Sequence, residues 1–329
     1  MAKRVSVVPV LVLIDVEPDG FFVGRTENVP WTGFERAVDV MADVRAALVR
    51  ATGREAHFTW LVRADEQIAE TYGSAGWAFD RYRDTFADLL AADDEIGLHI
   101  HAYRWDGATM GWVEDYGNQG WVERCVRNGC RAFAEHFARP AASFSMGMDW
   151  TNEATVRLAR ELDVRYDFSA VLDREPVPFP PRDAYTGVAP DCSAIPDRPY
   201  RAALDDFQRP AAERGDGMWV FPLSSRVARV FPSWKRGAWD LVRLRPIAPR
   251  ETRKFFLQDD PAELQPAVDA LLRRLPRPYL TFAVRTHEFR SADTIAVIRR
   301  NLESAVARHE AGRFAFTRPD EALELLGCA

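Results

Sequence analysis

An α/β barrel, closed or partly closed and interrupted by long insertions, is the fold class that this 329-residue sequence predicts. Three observations point to it. Short apolar runs alternate with amphipathic stretches of helical period along most of the chain, giving seven or eight strand–helix units. The first run, Val7 to Ile14, is nearly all apolar, as a parallel strand covered on both faces should be. No G-x-G-x-x-G or Walker loop follows it, which argues against an open nucleotide-binding sheet.

The elements follow in order. Phe34, Val38, Met41, Val44 and Leu48 recur at helical spacing, which predicts a helix from Phe34 to Val49. His57 to Val62 reads as the second strand, and Phe79 to Leu90 as a helix with Phe79, Tyr82, Phe86 and Leu90 on one side. Glu95 to His101 is the third strand. A helix from Trp121 to Phe137 and a strand from Ala142 to Met146 come next. Asn152 is placed to cap a helix running to Leu162, and Arg165 to Ser169 is the fifth strand. The rhythm then breaks. Residues 171–260 are rich in proline, aromatics and arginine, with one strand expected at Met218 to Leu223. The alternation resumes with a helix from Pro261 to Leu275, a strand from Tyr279 to His287 and a helix from Asp293 to His309. A short strand at Phe314 to Phe316 and a helix from Pro319 to Leu326 end the pattern. The chain 1–329 therefore reads as a single domain in which 171–260 is a long insertion.

Composition narrows the function. A hydrophobic content of 47% with 28% charged residues suits an ordinary globular protein with a sizeable core. A net charge of −6 offers no basic face for nucleic acid, so none is expected as a partner. Cys125, Cys130, Cys192 and Cys328 form no C-x-x-C pair and no disulfide framework, so a reducing cytoplasm is the default compartment. The opening MAKRVSVVPVLVLID has the look of a leader. Its apolar run nevertheless ends at Asp15 without a small-residue cleavage site and is too short to span a bilayer, so a buried strand explains it better. No membrane partner is expected.

Barrel sites lie at the C-terminal ends of the strands. Strand one ends in Asp15-Val16-Glu17, and strand three ends in His99-Ile100-His101. Side chains two apart on a strand share a face, so each pair points one way. Two carboxylates and two imidazoles then converge at one rim, a donor set suited to zinc and related divalent ions. The late strand carries Arg285 and His287, which the same alternation puts on one face. His57, His136 and His309 show no charged partner pattern and read as structural or surface residues.

At these residues the chain resembles a known family. D-V-E after strand one, E-I-G-L-H-I-H at strand three and a late histidine resemble the polysaccharide deacetylases, which carry the NodB homology domain and include carbohydrate esterase family 4. The match is to the branch with D-x-E and H-x-H motifs. Ser143-Phe144-Ser145-Met146-Gly147 through Asn152, Tyr166-Asp167-Phe168-Ser169, Pro199-Tyr200-Arg201, Asp205-Asp206 and Trp219 to Ser224 extend the resemblance over roughly residues 8–290.

The resemblance implies a deformed (β/α)7–8 barrel and metal-dependent hydrolysis of an acetamido or related linear amide bond. It makes Asp15 the catalytic base and His287 the general acid. Glu17, His99 and His101 become ligands of a divalent metal, zinc before other first-row ions. In the commoner motif the second histidine falls four residues after the first, where this chain has Tyr103. The family's third motif carries an arginine that orients the aspartate. Ser145 stands there instead, and Arg285 is the candidate to have taken over that role.

For substrate, the rim offers Trp105 and Trp150 as stacking faces and Asp149 as a hydrogen-bonding group, with Arg285 beside them. Trp112, Trp121, Trp219, Trp234 and Trp239 read as packing residues. The expected partner is a small-molecule or glycan substrate, and the length of 171–260 suggests a lid or crevice wall. Two alternatives stay open: another amide or formamide hydrolase on the same scaffold, and a non-catalytic carbohydrate-binding relative. The oligomeric state is not legible.

Overall fold

The first strand, β1 (Val8–Val16), has all nine residues buried, and strand parity sends its side chains two ways. Val8, Val10, Val12, Ile14 and Val16 pack under the surrounding helices, whereas Leu11 and Leu13 belong to a separate interior cluster. Asp15 continues that inner series. The computed structural model describes residues 7–20, 22, 24–178, 185–212, 217–229 and 250–328. Trp234 and Trp239 lie outside the described residues.

The remaining strands are β2 (Thr59–Arg63), β3 (Glu95–Ile100), β4 (Tyr103–Asp106), β5 (Gly111–Asp115), β6 (Ser143–Met146), β7 (Tyr166–Asp167), β8 (Val177–Pro178), β9 (Tyr185–Thr186), β10 (Val188–Ala189), β11 (Tyr200–Arg201), β12 (Trp219–Val220), β13 (Ser225–Arg229), β14 (Arg250–Lys254), β15 (Leu280–Arg285) and β16 (Phe314–Phe316). The main sheet runs β11-β12-β7-β6-β3-β2-β1-β15, with β16 also on β1. Its pairs are parallel except β11 with β12.

The two ends of this sheet are laced together. Ser224 N donates to Thr281 Oγ1 at 2.7 Å, and Thr281 N donates to Ser224 Oγ at 2.9 Å. Phe255 N donates to Ser224 O at 2.8 Å, and Ala283 N donates to Phe255 O at 2.9 Å. The result is the deformed (β/α) barrel that the sequence predicts. Its interior is narrow. A Cβ on Gly97 would lie 2.5 Å from Ser143 O and 2.9 Å from Leu61 Cδ2, so only glycine lets β3 approach its neighbours there.

The helix Thr32–Thr52 buries Phe34, Ala37, Met41, Val44 and Leu48 and stops at Gly53, whose φ of 70° is the left-handed C-terminal turn. Asp19, far from it in local structure, caps its start: Oδ2 accepts from Thr32 N at 3.0 Å and Oδ1 from Gly33 N at 2.8 Å. Asn152 caps the helix Glu153–Glu161 as expected, accepting from Thr155 N at 2.9 Å.

Four expectations change. The helix expected from Phe79 to Leu90 is two, Trp77–Arg81 and Arg83–Ala91, broken at Tyr82. A polar helix at Glu66–Tyr72 has too little apolar period to be read from sequence. Asp65 starts it by accepting from Gln67 N and Ile68 N. The strand expected to run to His287 ends at Arg285, and a 3-10 turn, Thr286–Arg290, follows. The insertion also holds more strand than the one expected: β9 joins the β4–β5 hairpin, and β13 pairs with β14. Among the described residues, no helix is long and apolar enough to cross a membrane.

Candidate metal centre and active site

Parity builds the floor of the barrel mouth. In register across the sheet, Arg285 pairs with Asp15, Arg63 with His99, and His99 with Ser145. These inward residues form the last layer above the apolar interior. Glu17 and His101 rise one step further, just beyond the ends of β1 and β3.

Glu17, His99 and His101 bring one candidate ligand atom each to within 4.8 Å of the others. The two imidazoles meet at 3.0 Å through Nε2, with their rings at 81°. Each is held from behind through Nδ1: His99 by Ser145 Oγ at 2.8 Å, and His101 by Glu114 Oε1. With Nδ1–H donated to those partners, both Nε2 lone pairs face one another. That arrangement is repulsive unless a cation or proton lies between them. Two nitrogens bound to one tetrahedral zinc at 2.0–2.1 Å would sit about 3.3 Å apart, so the donor set and spacing fit a divalent ion.

The backbone supports this. His101 N donates to Asp65 Oδ2 at 3.0 Å, and Asp65 is pinned by Arg63 Nε at 2.6 Å. A Cβ on Gly147 would lie 2.3 Å from His101 Nδ1, so the turn after β6 passes flat against the ring. Thr286 Oγ1 donates to Glu17 O at 2.9 Å and accepts from Glu17 N at 3.0 Å, locking the Glu17 segment to the turn that bears His287.

The charges are set by their surroundings. Burial opposes ionisation of Glu17, but the His287 hydrogen bond and the charge of Arg285 outweigh it and push its carboxyl down to about 2. Burial holds His99 below the usual imidazole range against the pull of Asp15 and Glu17, and holds His101 well below it with help from Arg63. Both are thereby kept in the neutral form that ligates metals. Burial pushes the Glu114 carboxyl up to about 8. Burial would lower His287, but its bonds to Glu17 at 3.1 Å and Glu288 at 3.5 Å push it up to about 9.

Asp15 is buried beside the cluster, with Oδ1 3.8 Å from His99 Nδ1. His287 stands against Glu17, with Nδ1 3.1 Å from its Oε1. Ser145 does not leave a hole where the resemblance puts an arginine, because its hydroxyl supports His99. Arg285 does not take over the orienting role through contact. Its guanidinium carbon lies 5.4 Å from the Phe256 ring centroid, and it makes no ion pair with Asp15. Lys254, at the end of β14, bonds Asp149 Oδ1 at 2.6 Å, and the charges of Asp149 and Asp15 hold its ammonium above the usual range against burial.

The expected substrate groups fare unevenly. Trp105 is half-buried on β4 and meets Trp112 edge to face at 5.4 Å. Trp150 is buried and stacked on Tyr116 at 5.3 Å, so its ring already has a partner. Asp149 is held by Lys254 and, at 3.7 Å, by Arg174, which occupies the carboxylate expected to meet a hydroxyl. Burial opposes its ionisation, yet these cations hold it below the usual carboxylate range. Met148 and Asp149 both take positive φ, 57° and 51°, an unfavourable pair for non-glycine residues at the rim.

The other histidines have acidic partners that the sequence does not reveal. His136 bonds Asp80 and His309 bonds Asp269, each at 3.1 Å. His57, Asp93 and Glu321 form a second possible ligand group, but Arg318 already bonds Asp93 and Glu321 there. Glu114, Lys254 and Thr286 had no signal in the sequence, since hairpin and insertion residues have no fixed spacing from the motifs.

No protein-family model matches the chain, and no curated protein matches it in sequence. Solved structures do. Puue allantoinase superposes with a TM-score of 0.53 at 15% identity, covering 98% of this chain and 91% of its own. A protein assigned as a polysaccharide deacetylase from Mycobacterium smegmatis gives 0.52 at 13% identity, covering 99% and 92%. One assigned likewise from Pseudomonas aeruginosa PAO1 gives 0.52 at 13%, covering 97% and 90%. Across almost its whole length, the chain has the NodB-type barrel of the polysaccharide deacetylases.

Proposed function

We propose that the protein is a metal-dependent hydrolase that removes an acyl group, N-acetyl before others, from a sugar or sugar-containing small molecule. One observation carries the reading: the His99 and His101 Nε2 atoms face each other at 3.0 Å beside Glu17, with Asp15 3.8 Å from His99 and His287 3.1 Å from Glu17.

Glu17, His99 and His101 would hold the ion. A divalent metal bound there would supply Lewis acidity for the substrate carbonyl and for the attacking water. Asp15, a buried carboxylate beside the cluster, takes the proton from that water. His287, held protonated by Glu17 and Glu288, gives its proton to the departing amine, which leaves poorly without it. Arg63, Asp65, Ser145 and Glu114 keep the two imidazoles in place. Trp105 offers an aromatic face at the rim, and the likeness to deacetylase structures favours a carbohydrate substrate.

A second reading, hydrolysis of a small ring amide on the same residues, draws support from the similarity to an allantoinase. Metal analysis combined with an acetate-release screen over N-acetylated sugars tests the first. Chelation should abolish acetate release and zinc should restore it. Asp15→Asn should keep the metal and lose at least about 100-fold in rate. Full activity in Asp15→Asn, or release that survives chelation, sinks the assignment. Release of ammonia or ring-opened product, with no acetate, moves it to the second reading.

A further inference from the structure

Most basic side chains at the mouth have an acidic partner. Arg63 is on Asp65 at 2.6 Å, Lys254 on Asp149 at 2.6 Å, Arg174 on Asp149 at 3.7 Å and His287 on Glu17 at 3.1 Å. Arg285 is different. Among the described residues it makes no ion pair; the guanidinium packs over Phe256 at 5.4 Å, and its Nε is buried with no hydrogen-bond partner. Arg285 is only part-buried, Nε being cut off from water, and a buried donor left without a partner is costly, so folded proteins seldom keep one.

The charge faces the site. It acts on Glu17, His101, His287 and Lys254. Glu17 is already bonded to His287, and Asp15, the register partner of Arg285 across β1, lies beyond ion-pair distance. The guanidinium is a planar fork of donors that fits a carboxylate through two parallel bonds.

We propose that Arg285 is a specificity residue that receives a carboxylate of the substrate, so that the preferred substrate is an acidic N-acylated amino sugar. The inference rests on the deacylase reading above. Arg285 ends β15, on the opposite side of β1 from His99 and Ser145, and the next element carries His287. The carboxylate therefore belongs to the sugar that keeps the amine, not to the acyl group.

A matched pair of ligands tests this: N-acetylglucosaminuronic acid and its uronamide, which differ only in carboxylate against carboxamide. Calorimetric binding to the metal-loaded protein is measured beside acetate release. The acid should bind at least about tenfold tighter than the amide. Arg285→Gln should bring that ratio close to one, and Arg285→Lys should fall between. Equal binding of both ligands by the unaltered protein, or binding of neither, overturns the proposal without touching the deacylase reading. A tenfold preference for the acid with no acetate released from any sugar upholds the carboxylate site and removes the deacylase reading. Should Arg285→Gln fail to fold, the Arg285→Lys ratio decides: an undiminished preference overturns the proposal.

Discussion

Glu114 stands directly behind His101, its buried carboxyl accepting the hydrogen bond from Nδ1 while Nε2 of the same ring turns toward His99. Partners of this kind fix the tautomer and aim of a ligating imidazole. Glu114→Ala should therefore weaken zinc binding by about 10- to 100-fold, read by competition with a chromophoric chelator. An affinity within about twofold of the parent would show that His101 needs no such support.

Gly147 tests the same ring from its flat side. Gly147→Ala would put a methyl carbon 2.3 Å from His101 Nδ1 and 2.4 Å from Cε1. The ring must move, because the turn it meets follows directly from β6. Metal stoichiometry should fall well below one ion per chain while far-ultraviolet circular dichroism stays native. A variant with full metal content would mean that the turn gives way instead.

Asp94 is a structural counterpart far from the mouth. Its carboxylate takes Arg45 Nη1 at 2.9 Å and Nη2 at 2.6 Å, Phe58 N at 2.8 Å and Trp60 Nε1 at 2.8 Å. Asp94→Ala strands a part-buried guanidinium and two buried donors, which should cost about 3–5 kcal/mol in chemical denaturation. A loss below about 1 kcal/mol would contradict the role drawn from these bonds.

Asp167 supplies a pH dependence. Burial pushes its carboxyl up to about 6 from the usual 3.8, although Ser169 N and Oγ both donate to it. The folded-state value lies above the unfolded one, so the stability it contributes is fully present below about pH 4. That contribution is lost as pH rises through about 6, a change of about 3 kcal/mol. Asp167→Asn cannot ionise and should lack this loss. Unfolding free energies of the two proteins, measured from pH 4 to 7, should diverge over that window; parallel curves would exclude the effect.

Much of the site was legible because strand parity is local. A strand repeats every two residues whatever surrounds it, so residue order alone puts Asp15 with Glu17, and His99 with His101, on one face. Apolar period likewise located β1, β3, β6 and the helix Thr32–Thr52 within a few residues. Parity misled at His287, where the strand yields to a 3-10 turn, and the histidine reaches Glu17 from that turn and not along β15.

The sequence by itself therefore determined the strand-end chemistry: which acids, imidazoles and arginines could stand at a barrel mouth. The tertiary structure alone decided their partners. Glu114 reaches His101 through a hairpin, Lys254 reaches Asp149 from an insertion across 105 residues, and Phe256 covers Arg285 from the segment that closes the barrel. Those contacts depend on sheet order and closure, which join residues with no fixed spacing along the chain, and no local period encodes them.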